Sequence, residues 1–171
     1  MESRELLLNA FDNIEQAVRG ALDGIDPALL TARLDPEANT LAWLTWHLTR
    51  VQDDHVADVA GRPQAYTDAG WAQRFALPFD DRALGYGFSS EEVGQVQVSD
   101  PQLLVDYHAD VHRRTAEFLQ TVTADDLDRV VDERWDPPVT LGVRLVSVIS
   151  DDLQHAGQAA YLRGVLERTR G

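Results

Sequence analysis

Four stretches of the chain repeat apolar residues at the 3.6-residue spacing of an α-helix, and this limits the fold more than any other feature. The spacing predicts helices over residues 3–22, 40–59, 99–122 and 140–166. Short strands could form near Val130-Val131, but no pattern supports a sheet. We therefore predict an all-α fold, a four-helix bundle that forms a single domain over residues 1–171.

The connection between the second and third helices, residues 62–99, has no sustained periodicity. A connection of this length is unusual inside a compact bundle and is often functional. The run from Ser89 to Val93 predicts a short helical turn. Aromatic side chains are expected to anchor the connection onto the helices, and these are Trp71, Phe75, Phe79, Tyr86 and Phe88.

Composition excludes several kinds of chemistry. The chain has no cysteine, and all of its 15 basic residues are arginine, so a disulfide framework, thiolate ligands, a cysteine nucleophile and Schiff-base catalysis are excluded. The formal net charge of −14 opposes binding to a nucleic-acid backbone. Neither a membrane-length apolar run nor the pattern of a secretory signal is present, so we expect a cytoplasmic protein outside the membrane.

The last helix carries a pair of residues that packing does not explain. Asp151 and His155 are four residues apart, which places their side chains on one helix face, and that face is the one expected to be buried. A carboxylate and an imidazole in an apolar stripe need a partner or a cation. Taken alone, the pair could equally form a hydrogen bond on the helix surface.

His47 is the candidate third ligand, because it lies on an apolar, tryptophan-rich helix beside Trp43. The alternative for His47 is a core histidine with a hydrogen-bond partner. Two imidazoles and one carboxylate suit Zn²⁺ first, with Ni²⁺, Mn²⁺ or Fe²⁺ as alternatives. Three protein ligands also leave a coordination position open for water or substrate, which is typical of a catalytic site.

Other polar residues are weaker candidates. Asp54 and His55 follow His47 by about two turns and could support the site, although we favour ordinary polar residues near a helix end. His108 and His112 form a second pair four residues apart, but the aspartates around them favour a solvated helix face.

Two motifs resemble those of the DinB-like superfamily. The first is Thr-Leu-Ala-Trp-Leu-Thr-Trp-His-Leu over residues 40–48, and the second is Val-Thr-Leu-Gly over 139–142 followed by Asp-x-x-x-His-Ala-Gly-Gln over 151–158. The branch they resemble is the mycothiol-dependent maleylpyruvate isomerases and mycothiol S-transferases. The resemblance implies an up-down-down-up bundle with a metal near one end. It departs from the family at Asp151 (Glu or His), Ser147 (often His) and Phe88 (His expected).

The activity that the resemblance implies is the transfer of a low-molecular-weight thiol, mycothiol, to a small electrophile. The bias of the composition toward Arg, Ala, Val, Asp and Gly suggests a GC-rich genome. Such a source agrees with mycothiol, which is the low-molecular-weight thiol of actinobacteria. Gln158, one helical turn beyond His155, is a candidate for orienting a ligand or the co-substrate. The alternatives are isomerisation or hydrolysis at the same metal, or a non-catalytic metal-binding or stress protein. An apolar outer face would also permit a homodimer.

Overall fold

The computed structural model describes residues 2–170 and confirms the all-α prediction. Its helices are α1 (Ser3–Leu22), α2 (Leu41–Ala60), α3 (Ala65–Asp68), α4 (Trp71–Phe75), α5 (Ser90–Gln95), α6 (Pro101–Leu119) and α7 (Leu141–Arg170). The sequence analysis allowed a short strand near Val130-Val131 but supported no sheet, whereas β1 (Val130–Asp132) and β2 (Val139–Thr140) form a short antiparallel pair. The predicted turn after Ser89 is α5.

The ends of the long helices follow from local chemistry. The hydroxyl of Thr40 accepts a hydrogen bond from the amide of Trp43 at 3.0 Å, which caps the start of α2. Gly61 ends α2 in the left-handed conformation, with a φ of 62°. Asp100 caps α6, and Pro101 occupies its first turn. These boundaries lie within a few residues of the prediction, whereas α7 continues past residue 166.

Contacts at the helix ends give the directions of α1, α6 and α7. The guanidinium of Arg163, late in α7, donates to the carbonyl of Asp23, just after α1, at 2.7 Å. These two helices therefore run parallel. Arg4 at the start of α1 contacts the carbonyl of Gln120 at the end of α6, so α1 and α6 run antiparallel.

α2 runs antiparallel to α7, and this alignment places the site. His47 of α2 lies beside His155 of α7, while His55, two turns later in α2, contacts Arg144 near the start of α7. α1 and α2 each pack against both α6 and α7. The arrangement is the up-down-down-up bundle that the resemblance implies.

A buried ionic network holds the connection between α2 and α6 onto α2. The guanidinium of Arg50 is fully buried and donates to the carbonyls of Asp81 and Ala83, at 2.9 and 3.2 Å. It also lies 3.5 Å from the carboxylate of Asp53, which accepts a hydrogen bond from the hydroxyl of Tyr107 at 2.8 Å. Since Arg50 is only three residues after His47, this network fixes the backbone that passes His47.

The prediction of a solvated face for His108 and His112 is wrong. His108 is only 1% exposed, and burial, with smaller contributions from His112 and Arg19, lowers its pKa to about 3. His112 is also largely buried and lies 3.1 Å from the carboxylate of Asp12 on α1. Both histidines fall on the inward side of α6, because helical position outweighs the charge of the neighbouring residues in sequence.

Candidate metal centre

Three potential ligands meet in the groove between α2 and α7. His47 comes from α2, and Asp151 and His155 come from α7; one ligand atom of each lies within 4.8 Å of the others. Nε2 of His155 is 3.8 Å from Oδ1 of Asp151, and the two imidazole rings have centroids 4.9 Å apart. Within residues 2–170, no other group of three His, Asp or Glu side chains converges in this way.

The hydrogen bonds of the two imidazoles leave the same ring nitrogen free on each. Nδ1 of His47 contacts the carbonyl of Leu84, and Nδ1 of His155 lies 2.9 Å from Oε1 of Gln158. A carbonyl oxygen only accepts hydrogen bonds, so Nδ1 is the nitrogen that carries the proton in each ring. Nε2 of both histidines therefore has a lone pair available, as a metal ligand requires.

Asp151 adds an acceptor that has no donor. Its Oδ2 is buried without a hydrogen-bond partner among the described residues. Two imidazole lone pairs and an unpaired carboxylate oxygen in a half-buried position are costly unless a cation or other donor joins them. The donor set thus fits a divalent cation with nitrogen and oxygen ligands.

Burial also favours the neutral form of His47. Loss of solvation is the largest effect and lowers its pKa; the nearby His155 acts in the same direction, while the carbonyl of Leu84 and Asp151 oppose it. A lowered pKa keeps the imidazole neutral around pH 7, which is the state that binds a metal.

Aromatic rings form one wall of the centre. The indole of Trp43 stacks on His47 with centroids 4.5 Å apart and an interplanar angle of 13°, and it meets His155 edge-on at 5.8 Å. The ring of Tyr86 lies edge-on to His47 at 4.9 Å. Tyr86 is 56% exposed, so it stands at the mouth of the site and does not anchor the connection as predicted.

Sequence analysis missed the two residues that orient His47. One is Leu84, which acts through its carbonyl. The other is Gly85, whose φ of 97° is strained for other residues. A Cβ there would lie 2.8 Å from Nδ1 of His47 and 3.2 Å from Nε1 of Trp43. The signal in the sequence was Gly85-Tyr86-Gly87, in which both glycines have positive φ.

Comparison with known proteins decides the family. The family model described as mycothiol S-transferase matches residues 6–168. The chain belongs to the mycothiol S-transferase family. The resemblance in the two helix motifs is thereby confirmed.

The bundle of this family member also matches a solved structure. A crystal structure described as a conserved protein from Enterococcus faecalis is 31% identical, with a TM-score of 0.89 over 95% of this chain and 96% of that chain. No curated protein matches the chain. Within residues 2–170, no helix is long and apolar enough to cross a membrane.

Of the three positions where this mycothiol S-transferase family member departs from the motifs, only Asp151 belongs to the group of three. Asp151 is at the edge of the buried stripe, with 26% of its side chain exposed, and the fully buried carboxylate of α7 is its neighbour Asp152. Ser147 is exposed and donates to the carbonyl of Arg144 at 2.8 Å. Phe88 stacks on Trp46 and so belongs to the aromatic packing.

Asp54 and His55 lie outside the group of three. Nδ1 of His55 is 3.3 Å from the guanidinium of Arg144, and Asp54 accepts a hydrogen bond from Gln64 at 2.6 Å. Neither contacts a candidate ligand through a hydrogen bond. Gln158, in contrast, bonds to His155 directly.

Proposed function

We propose that the chain is a metal-dependent thiol S-transferase, in which His47, Asp151 and His155 hold one divalent cation and mycothiol is the co-substrate. The observation that carries the proposal is the convergence of one ligand atom from each of the three residues within 4.8 Å, while Nδ1 of each imidazole is engaged by an oxygen outside the group. Membership of the mycothiol S-transferase family supports the thiol as the co-substrate.

Zn²⁺ is the cation that we propose, with Ni²⁺, Mn²⁺ or Fe²⁺ as alternatives, because the ligands are two imidazole nitrogens and one carboxylate oxygen. When bound, such a cation lowers the pKa of a thiol and stabilises the thiolate in its open position. The sulfur comes from the co-substrate, since the chain has no cysteine. Overall, a carbon–sulfur bond forms at the electrophile, and the thiol proton and the leaving group depart.

The chain's own residues orient the ligands and provide a proton donor at the mouth. The carbonyl of Leu84 and the amide of Gln158 fix the two imidazoles, and Trp43 covers one face of His47. Burial, followed by the charges of Asp151 and other aspartates, raises the pKa of Tyr86 to about 12. Its phenol therefore keeps its proton at neutral pH, and we propose that it donates a hydrogen bond to the electrophile.

We also propose that residues 1–171 act as one domain. The four long helices contribute to a single cluster of buried apolar side chains, and short elements between α2 and α6 pack against that same cluster. A shared core of this kind favours cooperative unfolding in one transition.

The test has two stages. Elemental analysis of protein purified without a metal-affinity column should give about one divalent ion per chain, and His155→Ala should remove it without loss of helical circular dichroism. His55→Ala is the matched control and should keep the ion. The metal-loaded protein should then conjugate mycothiol to a chromogenic electrophile.

Failure at each stage has a separate meaning. A chain that takes up no divalent ion on titration excludes every metal-dependent function proposed for it. A metal-loaded chain that turns over no thiol excludes the transferase and leaves isomerisation, hydrolysis or a non-catalytic role.

A further inference from the structure

A polar cavity of about 570 Å³ lies beside α2 and α7, outside the group of three ligands. Its volume falls within the range of about 300–1,000 Å³ typical of small-molecule sites. Side chains from five parts of the chain line it: the second half of α2, residues 62–67 after it, the loop before α5, the β1–β2 connection and the start of α7. Nothing in the proposed chemistry of the metal centre uses this cavity.

Three chain segments contribute residues both to the lining of the cavity and to the surroundings of the candidate metal centre. Arg82 lines the cavity, and two residues later the carbonyl of Leu84 contacts His47. Along α2, His55 lines the cavity and lies eight residues beyond His47, which is about 12 Å of helix at 1.5 Å per residue. Along α7, Arg144 precedes Asp151 by seven residues, or about 10 Å.

The lining of the cavity mixes donors and acceptors of both charges. The guanidinium groups of Arg62 and Arg82 are exposed and form no ion pair or side-chain hydrogen bond within residues 2–170. Two further guanidiniums of the lining, those of Arg134 and Arg144, already pair with Asp132. The carboxylates of Asp54, Asp58 and Asp81 line the same space. A ligand of strong negative charge would meet these three carboxylates, and a ligand of strong positive charge would meet the guanidiniums.

An uncharged ligand with many hydroxyl groups matches this lining, because each hydroxyl both donates and accepts hydrogen bonds. Mycothiol has this character at one end: its N-acetylcysteine is joined to a glucosaminyl-inositol pseudodisaccharide. We infer that the cavity binds this polyhydroxylated head group while the sulfur reaches the metal centre, which lies about 10–12 Å farther along α2 and α7 by the helix rise. The inference rests on the proposed function, because it assigns a site to the same co-substrate.

The experiment measures binding of the glucosaminyl-inositol head group alone, without cysteine, to the metal-free full chain by calorimetry or NMR titration. The head group should bind without metal, and N-acetylcysteine should not. Arg82→Ala and Asp58→Asn should each weaken binding by about tenfold, since each removes a charged hydrogen-bond partner. Arg168→Ala, an exposed change far along α7, is the matched control and should bind as the wild type does.

Three outcomes would overturn the inference. One is no binding of the head group, and another is equal binding by the wild type and both cavity variants. The third is tighter binding of inositol phosphate or malate than of the neutral head group, which would assign the cavity to an anion. Metal binding and thiol turnover in the stages above are independent of this result, so failure here leaves the proposed transferase intact.

Discussion

Gly85 and His47 are in such close contact that a side-chain carbon at position 85 would lie 2.8 Å from Nδ1 of the imidazole. The backbone at Gly85 has a φ of 97°, and its neighbour Leu84 presents a carbonyl to that same nitrogen. The direction of the His47 ring is therefore set by a main-chain conformation that favours glycine strongly.

Gly85→Ala should displace the loop from His47. The added carbon meets the ring and the backbone is strained, so we expect the free energy of unfolding to fall by about 2–4 kcal/mol. Affinity for the divalent ion should fall about 10- to 100-fold, as for other lost contacts that orient a ligand. Chemical denaturation and metal titration measure the two effects.

Gly87→Ala is the control for Gly85→Ala. Gly87 also has a positive φ, 69°, but nothing lies within 4 Å of its added carbon. It should cost only about 1–2 kcal/mol and leave metal affinity unchanged. Equal effects of the two variants on metal affinity would show that strain in the loop, and not contact with His47, is responsible.

Asp151→Asn tests the carboxylate ligand. The change removes the anionic oxygen from the group of three and should lower affinity for the divalent ion by more than about 100-fold, beyond the range for outer contacts. In the metal-free protein the change removes a carboxylate whose buried Oδ2 has no donor, so stability should rise, by about 1 kcal/mol or less because the side chain is partly exposed. Isothermal calorimetry with Zn²⁺ gives the first value, and unaltered affinity would remove Asp151 from the site.

Asp152→Asn should change the stability of the protein but not its affinity for the metal, in contrast to Asp151→Asn. Asp152 is fully buried, neither of its oxygens has a hydrogen-bond partner among the described residues, and burial raises its pKa well above the usual value. The folded chain must hold a proton that the unfolded chain releases, so this residue lowers stability increasingly as pH rises above about 4. The variant lacks that cost and should keep its metal affinity.

The measurement for Asp152→Asn is urea denaturation of the metal-free protein at pH 5 and pH 7.5. The stability gained over the wild type should be larger at the higher pH, growing by up to about 1.4 kcal/mol per pH unit. A gain that does not depend on pH would mean that the carboxyl group is not buried as a neutral acid.

Burial of His108 should lower the free energy of unfolding of the protein in acid. Burial lowers its pKa to about 3, while the unfolded chain titrates near 6.5. The stabilisation from this depressed pKa is present above pH 6.5 and is lost as pH falls toward 3, at up to about 1.4 kcal/mol per pH unit. His108→Gln does not titrate, so its unfolding free energy should depend less steeply on pH between 6 and 4. If the unfolding free energies of the wild type and His108→Gln depend on pH with the same slope, the lowered pKa of His108 is contradicted.

The periodicity of the sequence predicted the four long helices because it records directly which face of each helix is buried. It also predicted that Asp151 and His155 share a face, since four residues make about one turn. It could not show that His47 meets them, because that contact depends on how α2 and α7 align in the bundle.

What the sequence did not reveal is mostly contributed by the main chain. Leu84 acts through its carbonyl, which every residue type possesses, so no pattern of side chains marks it. The strands β1 and β2 contain three and two residues, too few for an alternating pattern to be recognised. His108 was misplaced because its acidic neighbours suggested an exposed face, whereas its helical position faces inward.

The hydrogen bond between Leu84 and His47 is made by the backbone carbonyl, so the side chain at position 84 does not orient the imidazole. Evolution can therefore exchange that side chain, and those of nearby loop residues, without turning the ring, provided the backbone path through Gly85 is retained. In a protein of this architecture, the rim of the groove can diversify to accept new molecules while the arrangement of nitrogens beneath it stays constant.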